Sequence, residues 1–331
     1  MNELTATATA ALDPVYEWGL AVIRAAQSTC PAILAPIARF FSLLGDPVAY
    51  LIILPVVFWC IDERRGFRAA FAVFLSNGIN IALKDFLRVP RPFTQDPSVK
   101  LADAAGFSTP SGHSQNSAAF WPVLLLGETR RPFALAAAIL LPLCIGLSRV
   151  YLGVHYPTDI GLGWLLGALI SVGALAAVPA ITRAISRSLA REDSALSLFR
   201  ASLYASRPAT GRGSAANPVR TAKIAATTVL SAILLVISGE DSSMAGLLFG
   251  FTAGYIHLDG SFRASEGTIK QKAARLALGL LGLATLYFVT KMAFPGESTE
   301  NYRMFRFIRY ALVGAWTSWG APKLFASLKL S

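Results

Sequence analysis

Apolar runs recur along the whole chain, among them "FFSLLGDPVAYLIILPVVFWCI" at 40–61 and "IGLGWLLGALISVGALAAV" at 160–178. About 17 to 25 such residues suffice to cross roughly 30 Å of hydrocarbon as a helix. In lipid every backbone N–H and C=O must be satisfied inside the segment, so these runs are helices. The fold class that follows is all-α: a multi-spanning integral membrane helical bundle. Composition agrees, because only 15% of the 331 residues are charged and 54% are hydrophobic. A soluble domain carries about 25% charged residues.

Spans are expected at 40–61, 66–84, 114–128, 132–147 and 157–179. More follow at 221–238, 243–257, 273–293 and 305–325. The stretch 13–29, around Val15, Trp18, Val22 and Ile23, is amphipathic and reads as an interfacial helix or a short first span. Gly161, Gly163 and Gly167 in the fifth span are small enough to let another helix approach closely. Between the two sets, 183–220 is basic, rich in Ser and Ala, and reads as a cytoplasmic linker. The expected organisation is therefore 1–34 interfacial segment, 35–182 catalytic membrane core, 183–220 linker and 221–331 C-terminal transmembrane extension.

The formal charge of +11 fits loops that face anionic lipid rather than nucleic acid. Arg64, Arg65 and Arg68 lie in one short loop, Arg130 and Arg131 in another, and the linker is basic throughout. Span counting puts all three on one side, which the positive-inside rule makes the cytoplasm. The loop 85–113 and the turn 148–157 then face the periplasm or lumen. Cys30, Cys60 and Cys144 show no pairing or metal-ligand spacing and read as small buried hydrophobes.

That outer face collects nearly all the chemistry. "KDFLRVPRP" supplies Lys84 and Arg91, "PSGH" supplies Ser111, Gly112 and His113, and "SRVYLGVHYPTD" supplies Ser148, Arg149, His155 and Asp159. A lone Lys or Arg at a helix end usually snorkels to the headgroups, and a lone Ser-Gly is usually a turn. Together, at the edge of a bilayer, ionisable groups mark function. Lys84, Arg91 and Arg149 suit the oxygens of a phosphate. Gly112 lets backbone approach an anion, and a helix opening between Ser111 and Ser114 would present free N–H groups to it. Pro157 suits a first helical position, which puts His155 just before that helix and Asp159 in its first turn. A carboxylate there fixes the imidazole tautomer and sharpens the other nitrogen as a nucleophile. His113 is left to protonate the leaving oxygen. No acidic cluster, H-E-x-x-H or C-x-x-C accompanies these residues, so neither a metal nor another cofactor is expected.

The pattern K-x6-R-P, P-S-G-H, S-R-x5-H-x3-D resembles the signature of the type 2 phosphatidic acid phosphatase superfamily. It stands here without departure as Lys84…Arg91-Pro92, Pro110-Ser111-Gly112-His113 and Ser148-Arg149…His155…Asp159. The resemblance covers about 35–180. It implies a core of about six helices, to which the chain adds three or four C-terminal spans. It also implies His155 as nucleophile, Asp159 as its orienter and His113 as general acid. Lys84, Arg91, Ser111, Gly112 and Arg149 would bind phosphate. The expected function is metal-independent hydrolysis of a lipid phosphate monoester or diphosphate through a phosphohistidine. Polyprenyl diphosphate, phosphatidic acid, phosphatidylglycerophosphate and sphingoid or lipid A phosphates are candidate substrates. Transfer to a lipid or sugar hydroxyl, or a soluble phosphomonoester substrate, are the alternatives. The expected place is a bacterial inner membrane with the site periplasmic, and the expected partners are the bilayer and the lipid substrate. Loop 93–108 is the expected selector of substrate. His257, far from the site, is read as structural. Arg303, Arg306 and Arg309, at helical spacing near the outer end of the last span, read as snorkelling groups or as a seat for an anionic headgroup.

Overall fold

A computed structural model describes residues 3–29, 31–126, 131–177 and 218–330. Among the described residues the regular structure is entirely helical. The N-terminal half contains α1 (Glu3–Ser28), α2 (Pro31–Leu44), α3 (Pro47–Val56) and α4 (Glu63–Leu87). A short α5 (Pro92–Gln95) interrupts the following loop, and α6 (Gly112–Leu126), α7 (Pro132–Tyr151) and α8 (Pro157–Val172) complete it. The C-terminal half contains α9 (Pro218–Ile237), α10 (Ser243–Leu258), α11 (Ile269–Ala293) and α12 (Tyr302–Ala315). A π-helical turn, Trp316–Gly320, carries α12 into α13 (Ala321–Ser327). Residues 183–217 of the expected linker, with Arg130 and Cys30, lie outside the described residues.

Among the described residues five helices are long and apolar enough to cross a membrane; a sixth span results if Pro14–Ser28 and Ala32–Leu44, which meet at 116°, act as one. Their outward faces carry large apolar side chains such as Ile33, Leu43, Phe133, Leu169, Val236 and Met292, all exposed. Hydrocarbon is the solvent that suits such a surface. The chain is an integral membrane protein.

The single span expected at 40–61 is instead two helices. α2 stops at Leu44, and α3 starts at Pro47 after Asp46 accepts the Val48 N–H at 2.9 Å. An Asp N-cap followed by proline at the first helical position is a strong start signal. The Gly45-Asp46 corner so formed lies against the His113 ring. α3 then runs through a π-helical turn, Val57–Ile61, to Asp62, which caps α4 by accepting from Arg64 and Arg65 N–H at 2.9 Å.

α6 and α8 pack almost backbone to backbone. A Cβ on Gly163 would lie 2.8 Å from the Ser111 carbonyl oxygen, and one on Gly167 would lie 2.2 Å from that of Gln115. Only glycine permits this approach. Gly161, by contrast, faces open space, so two of the three glycines expected to mediate packing do so.

The two halves share a core. Phe67 of α4 stacks on Tyr255 of α10 with ring centroids 4.0 Å apart, and Phe58 and Phe74 pack on Phe251. Trp59 of the N-terminal half is fully buried among C-terminal residues: its indole donates to the Thr317 carbonyl at 2.8 Å and its ring meets Phe325 edge-on. Arg275 of α11, also fully buried, donates to the carbonyls of Trp59, Ala264, Glu266 and Leu330 at 2.7–3.1 Å. A guanidinium can be buried at tolerable cost when its donors are satisfied in this way.

Candidate active site

Three loops converge where α4 ends and α6 and α8 begin. α4 stops at Leu87 because Arg88 takes a left-handed conformation, φ 49°, and donates its backbone N–H to the Lys84 carbonyl. α7 ends at Tyr151, and Gly153 turns the chain with φ +71°. A Cβ there would lie 1.8 Å from the Val99 carbonyl oxygen, so a side chain has neither the conformation nor the room. The turn delivers His155 just ahead of α8, which opens at Pro157 with Asp159 as its third residue.

His155 is 2% exposed and its two ring nitrogens face different groups. Nδ1 lies 3.3 Å from Asp159 Oδ2 and 3.3 Å from Ser108 Oγ. Nε2 lies 3.3 Å from Arg91 Nη1. Burial pushes the imidazole down to about 3; Asp159 pulls it back up, while Lys84 and Arg91 add to the depression. The ring is neutral at pH 7. With Nδ1–H directed to the carboxylate, the Nε2 lone pair points toward Arg91.

Asp159 is fixed from several sides. Ser108 Oγ donates to its Oδ2 at 2.5 Å, Tyr156 N–H to the same oxygen at 2.8 Å, and Thr109 Oγ1 to Oδ1. Its own backbone carbonyl accepts the Ser111 N–H at 3.0 Å, tying the PSGH loop to the start of α8. Ser108 and Thr109 are residues that sequence reasoning missed. Their only signal was two hydroxyls immediately before PSGH.

The cations divide into two kinds. Arg91 donates to the carbonyls of Gly106, Ala105 and Val154 at 2.6–2.9 Å, and Lys84 to those of Phe107 and Ser108 at 2.5 and 3.0 Å. Both therefore shape the loop while contributing charge. Arg149, buried in α7, donates one Nη1 bond to Ser42 Oγ at 2.5 Å, and its Nε has no partner. It retains donors for an incoming anion. Asn80 of α4 supports the other side: its Nδ2 donates to the Pro110 carbonyl at 3.1 Å and to Gln115 Oε1 at 2.9 Å. Ser42 and Asn80 were likewise not legible in the sequence.

Every residue singled out in the three motifs thus comes to one end of the bundle. His113, on the first turn of α6, lies within electrostatic reach of Arg149, His155, Arg91 and Lys84. Gly112 sits against Asn80, whose Oδ1 would be 3.0 Å from a Cβ at that position. Loop 93–108, expected to select substrate, supplies carbonyls that hold Arg91 and Lys84. Among the described residues no cluster of His, Cys, Asp and Glu could hold a metal. The remaining histidine, His257, is exposed at the last turn of α10, where its Nδ1 lies 2.8 Å from the Ala253 carbonyl oxygen.

A helical membrane core that gathers paired histidines and three cations at one end defines a class, and comparison identifies it. Residues 65–183 match the PAP2 superfamily, and residues 242–331 match the family described as PAP2 superfamily phosphatase, transmembrane extension. The chain belongs to the PAP2 superfamily. It is 32% identical to a decaprenylphosphoryl-5-phosphoribose phosphatase of Mycobacterium tuberculosis, over 47% of this chain and 87% of that one. It is 35% identical to phosphatidylglycerophosphatase B of Bacillus subtilis, over 28% of this chain and 47% of the relative. Human sphingosine-1-phosphate phosphatase 2 is 33% identical over 40% of this chain and 35% of the relative. The chain spans under half the length of these last two. A crystal structure of a transmembrane PAP2 type phosphatidylglycerolphosphate phosphatase from Bacillus subtilis matches half of this chain and 87% of that one, at 27% identity and a TM-score of 0.43.

Proposed function

We propose that this protein is a lipid phosphatase that releases phosphate through a phosphohistidine on His155. The observation that carries the reading is the two-sided environment of that ring, with Nδ1 against Asp159 and Nε2 against Arg91. In the proposed reaction Nε2 attacks phosphorus, the ester P–O bond breaks, and His113 gives a proton to the leaving oxygen. His113 then takes a proton from water, whose oxygen attacks phosphorus; the P–N bond breaks, phosphate leaves, and the imidazole is restored. Arg149, Arg91, Lys84, the Ser111 hydroxyl and the Gly112 N–H stabilise charge on the equatorial oxygens.

The substrate class follows from where the site lies. A phosphate cradle at the end of membrane helices accepts a headgroup while its hydrocarbon stays in the bilayer. The names of the relatives, which act on lipid phosphates, support the same class. Arg64, Arg65 and Arg68 at the opposite end of α4 favour a periplasmic site in a bacterial inner membrane. We also read 1–34, 35–182, 183–220 and 221–331 as the functional divisions of the chain.

Purified protein offered a panel of lipid monophosphates and diphosphates should release phosphate, and do so in EDTA. His155→Ala should release none while keeping the elution profile of the wild type. Undiminished turnover by that variant, or a strict requirement for a divalent ion, would overturn the mechanism.

A further inference from the structure

A cavity of about 180 Å³ lies between the N-terminal half and the C-terminal half. Tyr50, Asn77 and Asn116 line it from α3, α4 and α6; Phe251, Leu283 and Val313 line it from α10, α11 and α12. An apolar cavity of about 150 Å³ takes a benzene-sized guest, so this one suits a short stretch of hydrocarbon chain. Asn116 is three residues beyond His113, or ~4.5 Å along α6, and Asn77 is seven before Lys84, or ~10 Å along α4. The cavity therefore sits at hydrocarbon depth, beneath the headgroup level of the site.

Two buried polar groups lack partners, Tyr50 in the lining and Arg309 four residues before the lining residue Val313 on α12. Tyr50 is 6% exposed and its hydroxyl has no hydrogen-bond partner. Arg309 is 5% exposed, its Nε has no partner, and no carboxylate pairs with it among the described residues. The neighbouring arginines each find a partner, although the Nε of Arg303 is also unbonded. Arg303 donates to the Leu235 carbonyl, and Arg306 meets Asp241 Oδ2 at 3.1 Å. Arg309 lies one turn outward of Val313 on α12 and, like all helical side chains, leans toward the helix N-terminus. That end is the one nearer the membrane surface. An unpaired guanidinium held inside a membrane protein calls for an anion.

We propose that this cavity and Arg309 bind an anionic glycerophospholipid of the surrounding bilayer, distinct from the substrate. Arg309 takes the negative phosphodiester, the Tyr50 hydroxyl donates to an ester carbonyl, and one chain enters the cavity. The order anion, acceptor, hydrocarbon is that of such a lipid, and a polyprenyl chain offers Tyr50 no acceptor. The C-terminal extension, which supplies part of the lining and the charge, thereby acquires a ligand.

The test uses the full chain carrying His155→Ala, so that it does not depend on turnover. Thermal unfolding is followed in mixed micelles of dodecyl maltoside with palmitoyl-oleoyl phosphatidylglycerol or with the matching phosphatidylcholine. Phosphatidylglycerol should raise the apparent Tm by ~3 °C or more beyond phosphatidylcholine. Arg309→Gln should erase that difference and Arg309→Lys should keep most of it. Tyr50→Phe, which removes one oxygen, should shrink it and serves if Arg309→Gln does not fold. Equal shifts for the two lipids, or a difference that survives Arg309→Gln, would overturn the proposal. So would an Arg309→Gln enzyme with His155 intact whose KM for a lipid monophosphate rises while the phosphatidylglycerol shift persists, because the cavity would then belong to the substrate.

Discussion

His155 Nδ1 and Asp159 Oδ2 stand 3.3 Å apart across the first turn of α8, and neither side chain reaches solvent. The carboxylate also accepts from Ser108, Thr109 and the Tyr156 N–H. It is thus held by donors that do not depend on the histidine. In the proposed mechanism the aspartate would keep its place as the imidazole gains and loses a phosphoryl group.

Asp159→Asn should therefore preserve the fold but disfavour the Nδ1–H tautomer. In a Ser-His-Asp triad the equivalent change costs about 10⁴ in kcat. We expect a fall in kcat of ~10²-fold or more, with a smaller change in KM. Ser108→Ala, which loosens the carboxylate without removing it, should cost roughly tenfold. Steady-state kinetics on a short-chain lipid phosphate separates the two, and an Asp159→Asn enzyme of near wild-type kcat would remove Asp159 as orienter.

The depressed pKa of His155, about 3, has a definite sign. The unfolded chain carries a histidine near 6.5, so between about pH 6.5 and 3 the unfolded state binds the extra proton. His155 therefore favours the unfolded state progressively as pH falls through that window and imposes no such loss above it. The same shift keeps the proposed nucleophile neutral well into acid. With three histidines in the chain, nitrogen-15 imidazole spectra can follow each one. The His155 resonances should stay those of the neutral ring down to pH 5, whereas a midpoint near 6.5 would contradict the burial described above.

Arg91 and Arg149 should respond differently to lysine. Arg91 bridges three backbone carbonyls, a task lysine cannot perform with one ammonium group. Arg91→Lys should lower both thermal stability and kcat. Arg149 makes a single bond to Ser42, so Arg149→Lys should leave stability within ~1 kcal/mol and raise KM for substrate or Ki for vanadate. Equal stability losses in the two variants would erase the distinction.

Gly167→Ala would drive a methyl group into the Gln115 carbonyl, 2.2 Å away. Overpacking of this sort costs about 1–3 kcal/mol, and the strain falls on the contact between the helix that carries His113 and the helix that His155 precedes. Loss of activity should accompany a lower Tm. Gly161→Ala, facing open space, serves as the control and should leave both unchanged.

Much of the site was legible because its chemistry demands rare residues at fixed spacing. Lys84, Arg91, His113, Arg149, His155 and Asp159 declare themselves by being ionisable between apolar helices. Their supports do not. Ser108, Thr109, Ser42 and Asn80 are ordinary loop and helix residues, and only the folded chain shows them bonded to Asp159, Arg149 and Pro110. The break at Gly45–Pro47 was hidden by hydropathy, since "GDP" sits inside one long apolar run, although Asp followed by Pro is itself a helix-start signal. The arginine stripe of α12 shows a different limit. Periodicity put Arg303, Arg306 and Arg309 on one helix face, but it could not reveal that two are paired and the third is not.

The placement of Trp59 bears on anyone wishing to work with the signature-bearing portion by itself. Cutting the chain after α8 would strip the cover from an indole that now lies against Phe325 and Gly279, and would remove the guanidinium that gathers the Trp59 carbonyl. A shortened enzyme would present a bare aromatic seam to its neighbours, inviting self-association. Replacing Trp59 with a smaller lipid-compatible side chain is the first redesign such a minimal catalyst would need.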